Sequence, residues 1–79
     1  MSPTVFKIKG FRFFFFSREE KRKHVHIQCS KGEAKFWLEP KIELAKNLGL
    51  SSKELREIEY ILRERHEEII KAWESFFGS

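Results

Sequence analysis

The sequence contains no aspartate, and its only amides are Asn47 and Gln28. All 12 acidic residues are therefore glutamates. Scattered glutamates without aspartate argue against a two-carboxylate hydrolase. Few thermolabile amides beside abundant Lys, Arg and Glu point to a heat-adapted source. Cysteine occurs once, at Cys29, which excludes an internal disulfide framework and a cysteine-rich zinc site. Long apolar runs are missing too. Residues 13–16 are four phenylalanines flanked by charge, too short for a secretory signal or a membrane-spanning helix. The expectation is a cytoplasmic protein with a reduced thiol and no membrane association. No nucleophile elbow, Walker loop, Gly-rich dinucleotide fingerprint or zinc-protease helix occurs.

What is present bounds the architecture. A chain of 79 residues allows one domain, residues 1–79, with one small core. Sixteen Lys and Arg residues give a net charge of +4 and a pI near 9.4. The charge is uneven. Residues 1–31 hold eight Lys/Arg and two Glu, whereas residues 32–79 hold eight Lys/Arg and ten Glu. Basic character thus belongs to the N-terminal half.

That half reads as strands. Residues 5–9 alternate, with Phe6 and Ile8 on one face and Val5, Lys7 and Lys9 on the other. Gly10 supplies a positive φ for a tight turn. Residues 11–16 are β-prone, placing Phe11, Phe13 and Phe15 opposite Arg12, Phe14 and Phe16. Residues 17–23 form a charged loop. Residues 24–30 turn Val25, Ile27 and Cys29 inward and His24, His26 and Gln28 outward. Ser30, Lys31 and Gly32 make a turn with the glycine in a bulge position. Residues 34–38 follow as a strand, with Ala34, Phe36 and Leu38 opposite Lys35 and Trp37. Pro40 ends it or sits at an edge.

The C-terminal third reads as a helix over residues 52–77. Ser51 and Glu54 have capping-box spacing. Leu55, Ile58, Leu62, Ile69, Trp73 and Phe76 form one apolar stripe, with a possible break near His66 and a stop at Gly78. Residues 42–50 are ambiguous between an edge strand and a helix followed by a turn. The expected fold is α+β: an antiparallel sheet of four or five strands with a long C-terminal helix packed on one face.

Several residues carry candidate chemistry. His24 and His26 share a strand face, and Arg12, Phe14, Phe16, Lys35 and Trp37 join them if the strands pair as a meander. Cations meet phosphates, rings stack on bases, and imidazole can act as acid or base on a ribose 2′-OH, so this face suits RNA. The same residues would equally form a dimer interface or lie beneath the helix. His66 joins the candidates only if the helix brings it to that face; packing is the plainer reading. Two histidines lack a third metal ligand, so no metal or cofactor is expected. Arg18, Lys21, Arg22 and Lys23 form a basic loop cluster that attracts phosphate, diluted by Glu19 and Glu20. Surplus rings on an exposed face mark an interaction surface, to be covered by a homodimer or a small protein partner. Trp37 and Trp73 are candidate anchors.

Residues 42–58 (IELAKNLGLSSKELREI) also look like a DNA-binding helix-turn-helix. Ala45 would be the small residue, Gly49 the turn, and Leu44, Leu48, Leu50, Leu55 and Ile58 the packing positions. The recognition helix would then present Glu54, Glu57 and Glu59 to phosphates, which is unfavourable.

The opening PTVFKIKGFRFFFFSREE, the strand His24-Val25-His26-Ile27, the AKFWLE segment of residues 34–39 and residues 42–50 resemble a small prokaryotic family of uncharacterised domains. The resemblance implies a short single-domain protein, often encoded beside another short protein in toxin–antitoxin-like pairs. It implies a strand near residues 42–44. His24, His26, Arg12 and Trp37 fall in its motif segments, and His66 has a counterpart in its C-terminal helix. The family's Pro-containing loop is replaced here by Lys21-Arg22-Lys23. The leading expectation is a toxin-like component that binds or cleaves RNA. In that picture His24 or His26 is the acid or base, Arg12 and Lys35 hold phosphate, and Phe14, Phe16 or Trp37 stack on a base. The alternatives are a non-catalytic interaction module or antitoxin-like regulator, and a DNA-binding protein using residues 42–58.

Overall fold

Alternating apolar residues in the N-terminal half pair strand by strand into one meander. The computed structural model describes residues 4–16 and 21–78. Its elements are β1 (Thr4–Ile8), β2 (Phe11–Phe14), β3 (His24–Cys29), β4 (Gly32–Trp37), β5 (Glu43–Leu48), α1 (Ser52–Glu64) and α2 (His66–Phe77). The sheet runs β1-β2-β3-β4-β5 in chain order, and each neighbouring pair is antiparallel. This is the expected α+β class. No helix among the described residues is long and apolar enough to cross a membrane.

Local chemistry sets the connections. Ile8 pairs with Phe11, leaving Lys9 and Gly10 as a two-residue turn. Both have positive φ, 52° and 83°, as a type I′ hairpin requires. Cys29 pairs with Gly32, so the β3–β4 turn is Ser30-Lys31, and Gly32 opens β4 instead of occupying a bulge. Gly32 is needed for proximity: a Cβ there would run into the Leu48 backbone carbonyl. A register shift between Thr4 and Phe6 accompanies the packing of Val5 against the core, whereas simple alternation turned it away.

Residues 43–48 settle the ambiguous segment as strand. The helix-turn-helix reading of residues 42–58 is thereby corrected, because its first helix is β5, hydrogen-bonded to β4. Asn47, next to last in β5, holds the turn that follows the strand. Its Oδ1 accepts from the Leu50 amide and its Nδ2 donates to the Leu50 carbonyl, each at 3.0 Å, a side-chain clasp across the turn that leads into α1.

The single C-terminal helix becomes two. Arg65 breaks the run with φ −116° and ψ 23°, and α2 then ends at Gly78. Ile58, Ile61 and Leu62 of α1 and Ile69 and Trp73 of α2 are buried against Phe11, Phe13, Phe15, Val25, Ile27, Phe36 and Leu38. The break changes the stripe: Phe77 packs against the core, whereas Phe76 is 47% exposed.

Ser51 caps α1 with the expected box. Its hydroxyl accepts from the Glu54 amide at 3.2 Å, and its own amide donates to Glu54 Oε1 at 2.9 Å. Glu54 Oε2 also lies 3.6 Å from Lys31 Nζ, tying the helix start to the β3–β4 turn. The Ser51 backbone bond, helped by the Ser51 hydroxyl and Lys31 and opposed by desolvation, holds the Glu54 carboxyl below its ordinary value of 4.5. A lowered folded value means that the charged carboxylate stabilises the fold above the unfolded pKa, and that this contribution is lost as pH falls through the folded value. Replacing Glu54 by Gln removes the titration. Thermal melts from about pH 5 to pH 3 should show a steeper decline in Tm for the wild type than for Glu54→Gln. Parallel declines would contradict the assignment.

Candidate nucleic-acid interface on the outer sheet face

Both helices pack on the sheet face that carries Phe13, Ile27 and Phe36. Strand alternation sends the intervening side chains to the other face. Register aligns Lys7, Arg12, Gln28, Glu33 and Leu48 in one row across the sheet. Thr4, Phe14, His26, Lys35 and Lys46 form the next row, and His24, Trp37 and Glu43 the third. The predicted face of His24, His26, Arg12, Phe14, Lys35 and Trp37 is therefore assembled by the meander.

Rings and cations interleave on it. The His26 ring stacks on Phe14 at 5.5 Å and meets Phe16 edge-on at 4.7 Å. Arg12 lies 4.4 Å from the Phe14 ring, and its Nε donates to Thr4 Oγ1 at 2.8 Å. Arg22 sits 4.3 Å above Trp37, donating to the Glu39 carbonyl at 2.7 Å and to Glu43 at 3.4 Å. Lys35 Nζ lies 4.6 Å from the same indole. The charged groups themselves lie over the rings, a cation–π arrangement that keeps them on the outer face. A phosphate chain could meet them there, with bases reaching the rings.

The histidines differ in place. His24 and His26 rings lie 5.3 Å apart. His24 is only 3% exposed, held between Trp37 at 5.7 Å and Trp73 at 5.2 Å. Its Nδ1 lies 2.8 Å from the Arg22 carbonyl. A carbonyl only accepts, so Nδ1 carries the proton. His24 is thus a packed residue that positions the Arg22 segment. His26 is half-buried; its ring lines a cleft on this face while its Nε2 is enclosed. His66 lies elsewhere, its Nε2 donating to the Leu38 carbonyl at 3.1 Å, in a cleft with Glu39, Glu67 and Lys71.

Of the basic loop, Lys21, Arg22 and Lys23 are among the described residues. Arg18 lies outside the described residues. Lys23 pairs with Glu39 at 3.6 Å, with 18% of its side chain exposed. Among the described residues no three His, Cys or Glu side chains gather as a metal site.

A cleft of about 230 Å³ opens on this face, lined by Phe16, His26, Glu33, Ala34, Lys35, Lys46 and Leu48. Glu33, Lys46 and Leu48 were not foreseen from sequence. A register shift between Lys35 and Phe36 sets Lys46 opposite Lys35 and Leu44 opposite Phe36. Plain alternation would have put Leu44 and Lys46 on one face. Two lysines directly opposite repel, and Lys35 Nζ lies toward the Trp37 ring, 4.6 Å away.

The family model described as Domain of unknown function (DUF4160) matches residues 10–74. The chain belongs to this family. The family match begins in the β1–β2 turn, ends within α2, and includes His24, His26, Trp37 and His66. Searches of the curated proteins and of the solved structures find no match.

The packing of His24 implies a test. His24→Ala opens a cavity and unpairs a carbonyl, at about 2–4 kcal/mol, whereas His26→Ala should lose under half of that. Urea unfolding would measure both. Equal stability of the two variants would contradict the separation of roles.

Proposed function

We propose that this chain is the toxin-like member of a toxin–antitoxin-type pair and acts by binding single-stranded RNA on the outer face of its sheet. The observation that supports this reading is the one-sided packing. Both helices lie on the inner face, while the outer face presents Phe16, His26 and Trp37 among Arg12, Arg22, Lys35 and Lys46. Stacking on rings holds bases, cations hold phosphates, and neither needs a deep pocket. If the bound strand is cleaved, His26 is the histidine that lines the cleft, acting through Nδ1 because its Nε2 is enclosed, whereas His24 is buried whole. The work would take place in the cytoplasm, on RNA met there.

A second reading is an interaction module, regulated by or regulating a small protein encoded nearby or a second copy of the chain. It is favoured by β5, an edge strand whose six residues are all exposed, including Leu44 and Leu48. Such an edge accepts another strand.

Fluorescence anisotropy with a labelled single-stranded RNA of mixed sequence tests the RNA reading. Binding should weaken with salt, because each phosphate contact contributes about −0.7 to the slope of log K against log salt. Phe16→Ala should weaken it by about 1–3 kcal/mol at unchanged Tm, and should relieve growth arrest on induced expression in bacteria. Absence of binding at low salt would remove the RNA reading and leave the interaction module.

A further inference from the structure

The cleft beside His26 has a composition more selective than a generic phosphate groove. Its exposed ring is Phe16, 42% accessible. Its cations are Lys35 and the cross-strand Lys46. Its only carboxylate among the described residues is Glu33, which sits one outward position along β4 from Lys35 and opposite Leu48. Glu33 makes no ion pair among the described residues, so neither cleft lysine neutralises it at bonding distance. A carboxylate on a strand-binding face repels phosphate, and what it can accept from a bound strand is the N–H donors of a base. We propose that this cleft selects a guanine nucleotide within a single strand, with Glu33 accepting from the base, the touching Phe16 and His26 rings forming one wall against it, and Lys35 and Lys46 holding its phosphate.

The choice of base follows from donor geometry. A carboxylate only accepts, through two oxygens. The Watson–Crick edge of guanine offers two adjacent donors, N1–H and the 2-amino group, which match those oxygens. Adenine presents its N1 acceptor beside its amino donor. Cytosine presents one amino group beside acceptors, and uracil one N–H between two carbonyls. Those three bases leave a Glu33 oxygen facing a lone pair. The cleft volume, about 230 Å³, falls below the roughly 300–1,000 Å³ of pockets that enclose drug-sized ligands, which suits one base.

The inference rests on the RNA-binding reading of this face, and the test separates the two. Anisotropy is measured for labelled pentamers UUGUU, UUAUU, UUCUU and UUUUU with the wild type, Glu33→Gln and Lys46→Ala. Thermal melts confirm that both exposed substitutions leave the fold intact. The wild type should favour UUGUU by about tenfold. Glu33→Gln should erase the preference while binding UUUUU at least as well, because a negative charge is gone. Lys46→Ala should weaken all four alike. Equal wild-type affinities, or a guanine preference that survives in Glu33→Gln, would overturn the base assignment and leave strand binding standing. Failure to bind any pentamer would overturn both readings. Guanosine monophosphate added as competitor distinguishes a strand from a free nucleotide: displacement only far above the pentamer's Kd supports the strand, and displacement at equal concentration overturns it.

Discussion

Burial of one sheet face beneath two helices is the interaction on which the remaining structure depends. Phe13, Phe15, Val25, Ile27 and Leu38 are almost wholly enclosed because Ile58, Leu62, Ile69 and Trp73 close over them. The chain has residues enough for one such layer. A meander has two faces, so the second must be stabilised by its own side chains. The break at Arg65 belongs to the same constraint. It redirects the helical path so that Trp73 and Phe77 lie against Phe15, and α2 reaches His24 at the sheet's end.

The outer face solves its exposure problem with cations laid over rings. Arg12 on Phe14 and Arg22 on Trp37 each shield aromatic area and are each held by further hydrogen bonds. This differs from a second core in keeping charge at the surface, and from a plain polar face in leaving the Phe16 ring exposed beside it. The basic excess of residues 1–31 is placed on this face in part, through Lys7, Arg12 and Arg22. It is joined by Lys35 and Lys46 from the more acidic remainder of the chain. An exposed mixture of this kind is unusual as pure packing and natural as a binding surface.

Much of this was legible in the sequence because two-residue periodicity carries through β2, β3 and β4 without interruption. Phe13 and Phe15 against Phe14 and Phe16, and Val25 and Ile27 against His26, follow from it directly. The capping box at Ser51 and the stop at Gly78 are local signals and were equally readable. What was not legible depends on long-range register. The extra residue in β5 put Lys46 across from Lys35, and the enclosure of His24 needed Trp73, 49 positions later in the chain. The helix-turn-helix pattern misled because Leu44, Leu48 and Leu50 fit helical spacing as readily as an edge strand. Pairing with β4 decided between them.

The central claim is that the uncovered face of the sheet is the working surface. Mapping amide and side-chain NMR shifts during titration with a short guanine-containing single-stranded RNA tests it most directly. The account predicts perturbations along β2 to β5 at His26, Glu33, Lys35 and Lys46, with the exposed faces of α1 and α2 unmoved. Perturbations confined to the helices, or none at all, would contradict it.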